Sequence, residues 1–328
     1  MVRFGLIGTN WITDRLVAAG READGFELAA VYSRTKEKAE EFAAKYEIPH
    51  TFTDLEEMAS SELIDAVYIA SPNSMHANQA MLFMNHGKHV LCEKPFASNV
   101  RETKAMIEAA EANGVVLMEA MKTTLLPSFQ AIKEGLQKIG PVRRYAASYC
   151  QYSSRYGAYL EGNVMNAFKP EFSNGSLMDL GVYGIYPMVA LFGKPSDVKA
   201  NGYMLGSGVD GEGSVIASYR DMEAVVTHSK ITDSTLPSEI QGEQGCIVID
   251  KLSEPTELTI HYRDGRKEQL SFVQDKPPMT YEVIEFIELI RQGKKQSETN
   301  SHACSLAVAE IMEESRKQMG LVYPADLE

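Results

Sequence analysis

From Val2 to Met118, short apolar runs alternate with stretches of helical period. That order admits few folds other than a parallel sheet covered by helices on both faces. Residues 2–8 read as the first strand, 11–22 as a helix and 26–33 as the second strand. In 35–46, Ala39, Phe42 and Ala43 fall at helical spacing with charges opposite. Residues 64–70 and 89–93 are further strands. Helices follow them at 73–86 and at 99–113, the second stopping at Asn113-Gly114. Residues 115–118 form a last short strand.

Beyond about residue 123 the pattern changes. Strand-like runs at 142–152, 214–219, 224–231 and 258–262 follow one another, with turns at Asp221-Met222-Glu223 and Asp264-Gly265. The second half therefore reads as a mainly antiparallel sheet, with helices at 176–192, 280–292 and 301–319. Two domains result, 1–122 and 123–328. The alternation leaves one face of the second sheet to be covered, in part by helices and in part by a second subunit.

The net charge of -13, without any basic cluster with interleaved aromatics, argues against a nucleic-acid partner. No apolar run reads as long enough to cross a bilayer. The N-terminus enters a strand directly, without a leader, so the expected compartment is the cytoplasm. Cys92, Cys150, Cys246 and Cys304 lie far apart and suit neither a zinc site nor a disulfide framework. Cys92 and Cys150 read as buried, inert thiols. His86 and His89 offer no metal pair.

Gly8 closes the first strand, and Thr9, Asn10, Trp11 and Ile12 lead into the first helix. A glycine bend there turns backbone N–H groups and the helix dipole towards a pyrophosphate. Asn10 and Thr13 stand where the dinucleotide fingerprint has its second and third glycines; asparagine tolerates unusual backbone angles. The second strand ends in Ser33-Arg34-Thr35 with Lys36 and Lys38 behind, and no carboxylate to bind ribose hydroxyls. A guanidinium fits a 2′-phosphate, so NADP(H) is favoured over NAD(H). After the third of these strands, Ser71-Pro72-Asn73 with His76 would lie near the nicotinamide. Asn73 capping the next helix and His76 serving as a core residue are equal readings. Glu93-Lys94-Pro95 ends the next strand and places a lysine where cofactor and substrate meet.

Gly5-Leu6-Ile7-Gly8-Thr9, Ser71-Pro72-Asn73 with His76, Glu93-Lys94-Pro95 and Gly175-Ser176-Leu177-Met178-Asp179-Leu180-Gly181 occur in this order. Together they resemble the glucose–fructose oxidoreductase and inositol dehydrogenase (Gfo/Idh/MocA) family. The resemblance implies a Rossmann dinucleotide-binding domain and an open-faced, mainly antiparallel sheet that mediates dimerisation. It also implies hydride transfer at a sugar, polyol or related group. Glu119-Ala120-Met121 and Asp179-Leu180-Gly181-Val182-Tyr183 are similar to the branch of dimeric dihydrodiol dehydrogenases and NADP-dependent xylose dehydrogenases. That branch follows Glu-Ala-Met with Trp-Thr-Arg, and this chain has Lys122-Thr123-Thr124 instead.

Asp179 and Tyr183 are four residues apart and on a helix would share one face. A free tyrosine titrates near ~10, and an ammonium such as that of Lys94 would lower this. Two assignments stand. Tyr183 exchanges the proton while Lys94 polarises the substrate oxygen and Asp179 orients the substrate or Lys94, or Lys94 donates and Tyr183 positions. Lys122 and Tyr156 are further substrate candidates, and Tyr149, Tyr152, Tyr156 and Tyr159 form an aromatic cluster that would suit a sugar. The overall expectation is an NADP-dependent oxidoreductase of a sugar, anhydro sugar, diol or dicarbonyl. The alternative is a catalytically silent, cofactor-binding regulator or scaffold.

Overall fold

The structure, a computed structural model, describes residues 1–327 and divides into two compact units. The first comprises Met1–Lys122 and Asp275–Ser305, the second Thr123–Gln274 and the chain from Leu306 onwards.

In chain order the first unit contains β1 (Val2–Ile7), α1 (Trp11–Gly20), β2 (Phe26–Tyr32), α2 (Lys36–Tyr46), β3 (His50–Phe52) and α3 (Leu55–Ser60). There follow β4 (Ala66–Ile69), α4 (His76–Asn85), β5 (His89–Glu93), α5 (Val100–Asn113) and β6 (Leu117–Ala120). All six strands are parallel, in the order β3-β2-β1-β4-β5-β6. The middle strand β4 is buried throughout, as expected where helices cover both faces. Caps set the helix bounds. Asn99 Oδ1 accepts the Glu102 N–H at 2.9 Å, and Gly114, at φ +62°, ends α5. β3 and α3 have no counterpart in the sequence reading, because three and six residues carry too little periodicity to register.

The second unit contains α6 (Pro127–Leu136), β7 (Val142–Cys150), α7 (Tyr156–Leu160), α8 (Val182–Phe192), β8 (Asp197–Met204), β9 (Asp210–Ser218) and β10 (Glu223–Ser229). It continues with β11 (Ser238–Gly242), β12 (Gly245–Ile249), β13 (Leu258–Tyr262) and β14 (Lys267–Gln269). The eight strands run β14-β13-β12-β11-β7-β10-β9-β8; β7 and β10 pair in parallel and every other pair is antiparallel. α8 packs closely on this sheet, since a Cβ on Gly184 would stand 2.5 Å from Val226 Cγ1. Contrary to the sequence reading, one stretch, Pro170–Phe192, is long and apolar enough to cross a bilayer. Its most apolar window is 67% buried inside the protein, as an all-round apolar core helix must be. On the opposite face of the sheet, a cavity of 610 Å³ is lined by Asn201, Tyr203, Glu212 and Ser214 among others. Cys150 also lines it and is only half-buried, unlike the interior thiol expected from its apolar neighbours.

The last two helices are α9 (Pro278–Arg291) and α10 (His302–Met319). The sequence reading assigned α9 to the second domain, but it belongs to the first unit. Thr280 Oγ1 donates to the Ala19 carbonyl at 3.1 Å, and the Phe286 and Phe4 rings lie 5.8 Å apart.

Candidate functional site

In the first unit the strand order reverses between β1 and β4, the place where open sheets of this kind bind ligands. Gly8 follows β1 with φ +106°, and a Cβ there would stand 2.7 Å from the Ala70 carbonyl oxygen. Only glycine permits this approach, and it leaves a bare backbone bend suited to a pyrophosphate. Gly8→Ala is expected to cost about 1–3 kcal/mol of stability and to weaken dinucleotide binding, read by thermal unfolding and fluorescence titration. Asn10 does not use the left-handed region: its φ is -105°. Its Oδ1 caps α1 at the Ile12 N–H (3.0 Å) and its Nδ2 donates to the Ala70 carbonyl (2.8 Å), tying the bend to β4. Thr9 and Ile12 are half-buried beside the bend, and Trp11 is 60% exposed with the Arg15 guanidinium 5.9 Å from its ring. At the end of β2, Ser33 is buried and its N–H bonds the Phe52 carbonyl, while Arg34 and Lys38 are exposed.

In the turn after β4 the core reading of His76 holds and the capping reading of Asn73 does not. Ser71 Oγ donates to Gln79 Oε1 at 2.7 Å, and Pro72 precedes a short 3₁₀ turn, Asn73–Met75. Asn73 is thus inside that turn, not the cap of α4. His76 is 1% exposed, with Nδ1 3.0 Å from the Pro95 carbonyl and Nε2 2.9 Å from the Ser71 carbonyl. Each ring nitrogen faces a backbone carbonyl and the neutral imidazole can donate to one of them, so His76 is a buried tie between the β4 and β5 loops. Burial pushes its pKa below the ordinary value, which keeps it neutral.

Lys94 follows β5 and is half-buried, and the Lys94–Pro95 peptide is cis. Glu93 is buried, and its Oε1 accepts the Tyr68 hydroxyl at 2.5 Å. Two more buried carboxyls share the unit. Burial pushes Glu119 up to about 8, although the Ser305 hydroxyl bonds it. Burial also raises Glu282 well above its ordinary value, and neither of its oxygens has a partner among the described residues. Lys122, a substrate candidate from sequence, is 8% exposed, and its charge acts on Glu93 and Glu282. Lys122 therefore offsets buried acid in the folded chain. Among the described residues no cluster of three or more His, Cys, Asp and Glu suits a metal ion.

In the second unit, Leu177–Gly181 forms a π-turn that runs into α8 at Val182. Its start is held from β9 and β10. Asp210 Oδ2 accepts the Leu177 N–H at 2.6 Å, and Ser176 Oγ lies 2.9 Å from His228 Nδ1. Gly181 lets the turn close down, since a Cβ there would stand 3.0 Å from His228 Cδ2. Burial pushes Asp210 up to about 6 and His228 down to about 3. Their 3.8 Å approach is therefore a contact of a neutral imidazole and not an ion pair. Asp179 sits in the π-turn, a feature frequent at functional sites. Its Oδ2 is 2.9 Å from Lys230 Nζ. Tyr183 is half-buried on α8, its ring edge-on to Tyr149 at 5.4 Å. Tyr156 stacks on Tyr159 at 5.6 Å and leans on Phe168 at 5.8 Å, which makes it part of an apolar cluster.

Lys230 escaped the sequence reading, although a signal was there. Ala224, Val226 and His228 alternate on the buried face of β10, and Lys230 continues that parity at 3% exposure.

A parallel sheet with a glycine bend at its switch point and a lysine closing β5, together with a sheet-based second unit, defines a dinucleotide-dependent oxidoreductase. Residues 2–121 match the oxidoreductase family with NAD-binding Rossmann fold, and residues 129–248 match the GFO/IDH/MocA C-terminal domain. The chain belongs to the Gfo/Idh/MocA oxidoreductase family. It is 63% identical over 326 residues, 99% of each chain, to scyllo-inositol 2-dehydrogenase (NADP(+)) IolU of Bacillus subtilis. It is 33% identical over 343 residues, again 99% of each, to trans-1,2-dihydrobenzene-1,2-diol dehydrogenase of Danio rerio. The fold is also that of aldose-aldose oxidoreductase from Caulobacter crescentus (TM-score 0.86, 20% identity, 97% of each chain).

Proposed function

We propose that this chain is an NADP-dependent dehydrogenase that oxidises a ring hydroxyl of a cyclic polyol of the scyllo-inositol type. The observation that carries this reading is the 63% identity, over 99% of both chains, to an NADP-dependent scyllo-inositol 2-dehydrogenase. The exposed Arg34, in the turn Ser33-Arg34-Thr35 that holds no carboxylate, and the exposed Lys38 on the first turn of α2 support the choice of NADP.

The bare bend at Gly8 fits a pyrophosphate, with Thr9, Asn10, Trp11 and Ile12 around it, and Arg34 and Lys38 would hold the 2′-phosphate. When bound, NADP+ supplies the hydride acceptor. Tyr183 takes the proton of the reacting hydroxyl, Lys94 polarises its oxygen and Asp179 orients the ring. Lys94 as the proton acceptor with Tyr183 positioning is the other assignment. A homodimer through the second unit's open sheet face, and a cytoplasmic location, complete the proposal.

The test is a fluorescence titration with NADPH and NADH, followed by scyllo-inositol oxidation read as NADPH formed. Arg34→Ala is expected to weaken NADPH binding about 10–100-fold, as loss of a charge-assisted bond does, and to leave NADH binding unchanged. Equal loss for both nucleotides would remove the 2′-phosphate role. NADPH binding without oxidation of any polyol would favour a silent regulator.

A further inference from the structure

We infer that Lys230 is a positioning residue of the polyol site, its buried ammonium fixing the Asp179 carboxylate in the orientation in which it meets the substrate. The inference rests on the proposed role of Asp179. It begins from the parity of β10, which aims the side chain of Lys230 into the same layer as Ala224, Val226 and His228. An ammonium taken out of water is strongly disfavoured unless it is paired, and a leucine or methionine would fill the same volume without that cost.

The pairing observed is specific. Lys230 Nζ lies 2.9 Å from Asp179 Oδ2, donates to the Ala167 carbonyl at 3.3 Å and sits 5.2 Å over the Phe168 ring. These contacts satisfy the cation and fix its position. The two ends of the ion pair differ sharply in access, for the lysine side chain is 4% exposed and the Asp179 side chain 40%. Asp179 is thus bound from the interior and remains accessible to a ligand. The π-turn that carries it is held separately by Asp210, Ser176 and His228, so backbone and carboxylate are restrained by different groups. A carboxylate that hydrogen-bonds a polyol hydroxyl must hold its angle, because small misplacements of a positioning group cost rate steeply.

The test is a double-mutant cycle on scyllo-inositol oxidation with NADP+, using Lys230→Met, Asp179→Asn and the pair, with thermal unfolding of each. Lys230→Met is expected to lower kcat/KM on the order of 10²-fold, with the NADPH dissociation constant unchanged. The double variant should be no more than about threefold worse than Asp179→Asn alone, as residues acting through one contact are non-additive. Lys230→Arg, which keeps the cation, should recover most of the activity. If Lys230→Met does not fold, Lys230→Gln, which retains a donor, takes its place in the cycle. Full activity of the neutral variant, or losses that multiply in the double variant, would overturn the inference while leaving the role of Asp179 intact. Full activity of Asp179→Asn would overturn that role and the inference together.

Discussion

Replacing Lys94 by alanine is expected to lower scyllo-inositol oxidation about 10²–10⁴-fold, the range for loss of a group that moves or stabilises a proton. NADPH binding should change little. The expectation follows from how the backbone is held around this lysine. On one side the Glu93 carboxylate accepts the buried Tyr68 hydroxyl, and on the other the Pro95 carbonyl lies 3.0 Å from His76 Nδ1. Neither anchor depends on the Lys94 side chain, so the variant should fold and present the same bend at Gly8. Steady-state kinetics, an NADPH titration and a melting curve would test this together. Normal turnover in the variant would remove Lys94 from the chemistry.

The second large effect concerns pH and stability. Glu119 has an ordinary pKa of 4.5 and is pushed up to about 8 in the folded chain, first by burial. Between these values the unfolded chain has released the proton and the native chain retains it. The native state then binds more protons, so unfolding free energy falls as pH rises through that window. The full loss above it is about 5 kcal/mol as an order of magnitude. Burial raises Glu93 and Glu282 in the same direction. Glu119→Gln keeps an acceptor for Ser305 and cannot titrate. Its melting temperature should match that of the parent near pH 4.5 and exceed it by several degrees above about pH 8. Parallel melting profiles for the two proteins across this range would contradict a neutral, buried Glu119.

Much of this fold was legible because its signals are local. The strand and helix alternation, the glycine after β1 and the Asn99 and Gly114 caps each lie within a few residues of the element they define. The short β3 and α3 were illegible for the same reason, having too few residues to show a period. The site was legible only as a set of residue types. Glu93, His76 and Lys122 stand within or beside the right motifs, but the buried surroundings that each one meets, the Tyr68 hydroxyl, two carbonyl oxygens and neighbouring acids, come from elsewhere in the chain. Lys230 carried a parity signal, but its partner lies on a π-turn far away in the chain.

The sequence by itself therefore determined the parallel sheet, its switch point and the placement of a lysine at the end of β5. Those follow from periodicity and from backbone demands that a few neighbouring residues satisfy. Only the tertiary structure decided that α9 returns to the first unit, that His76 is a structural tie and that Asp179 is held by Lys230. A charged or polar group in the interior takes its role from whichever partner compensates its loss of water, and that partner comes from a distant segment.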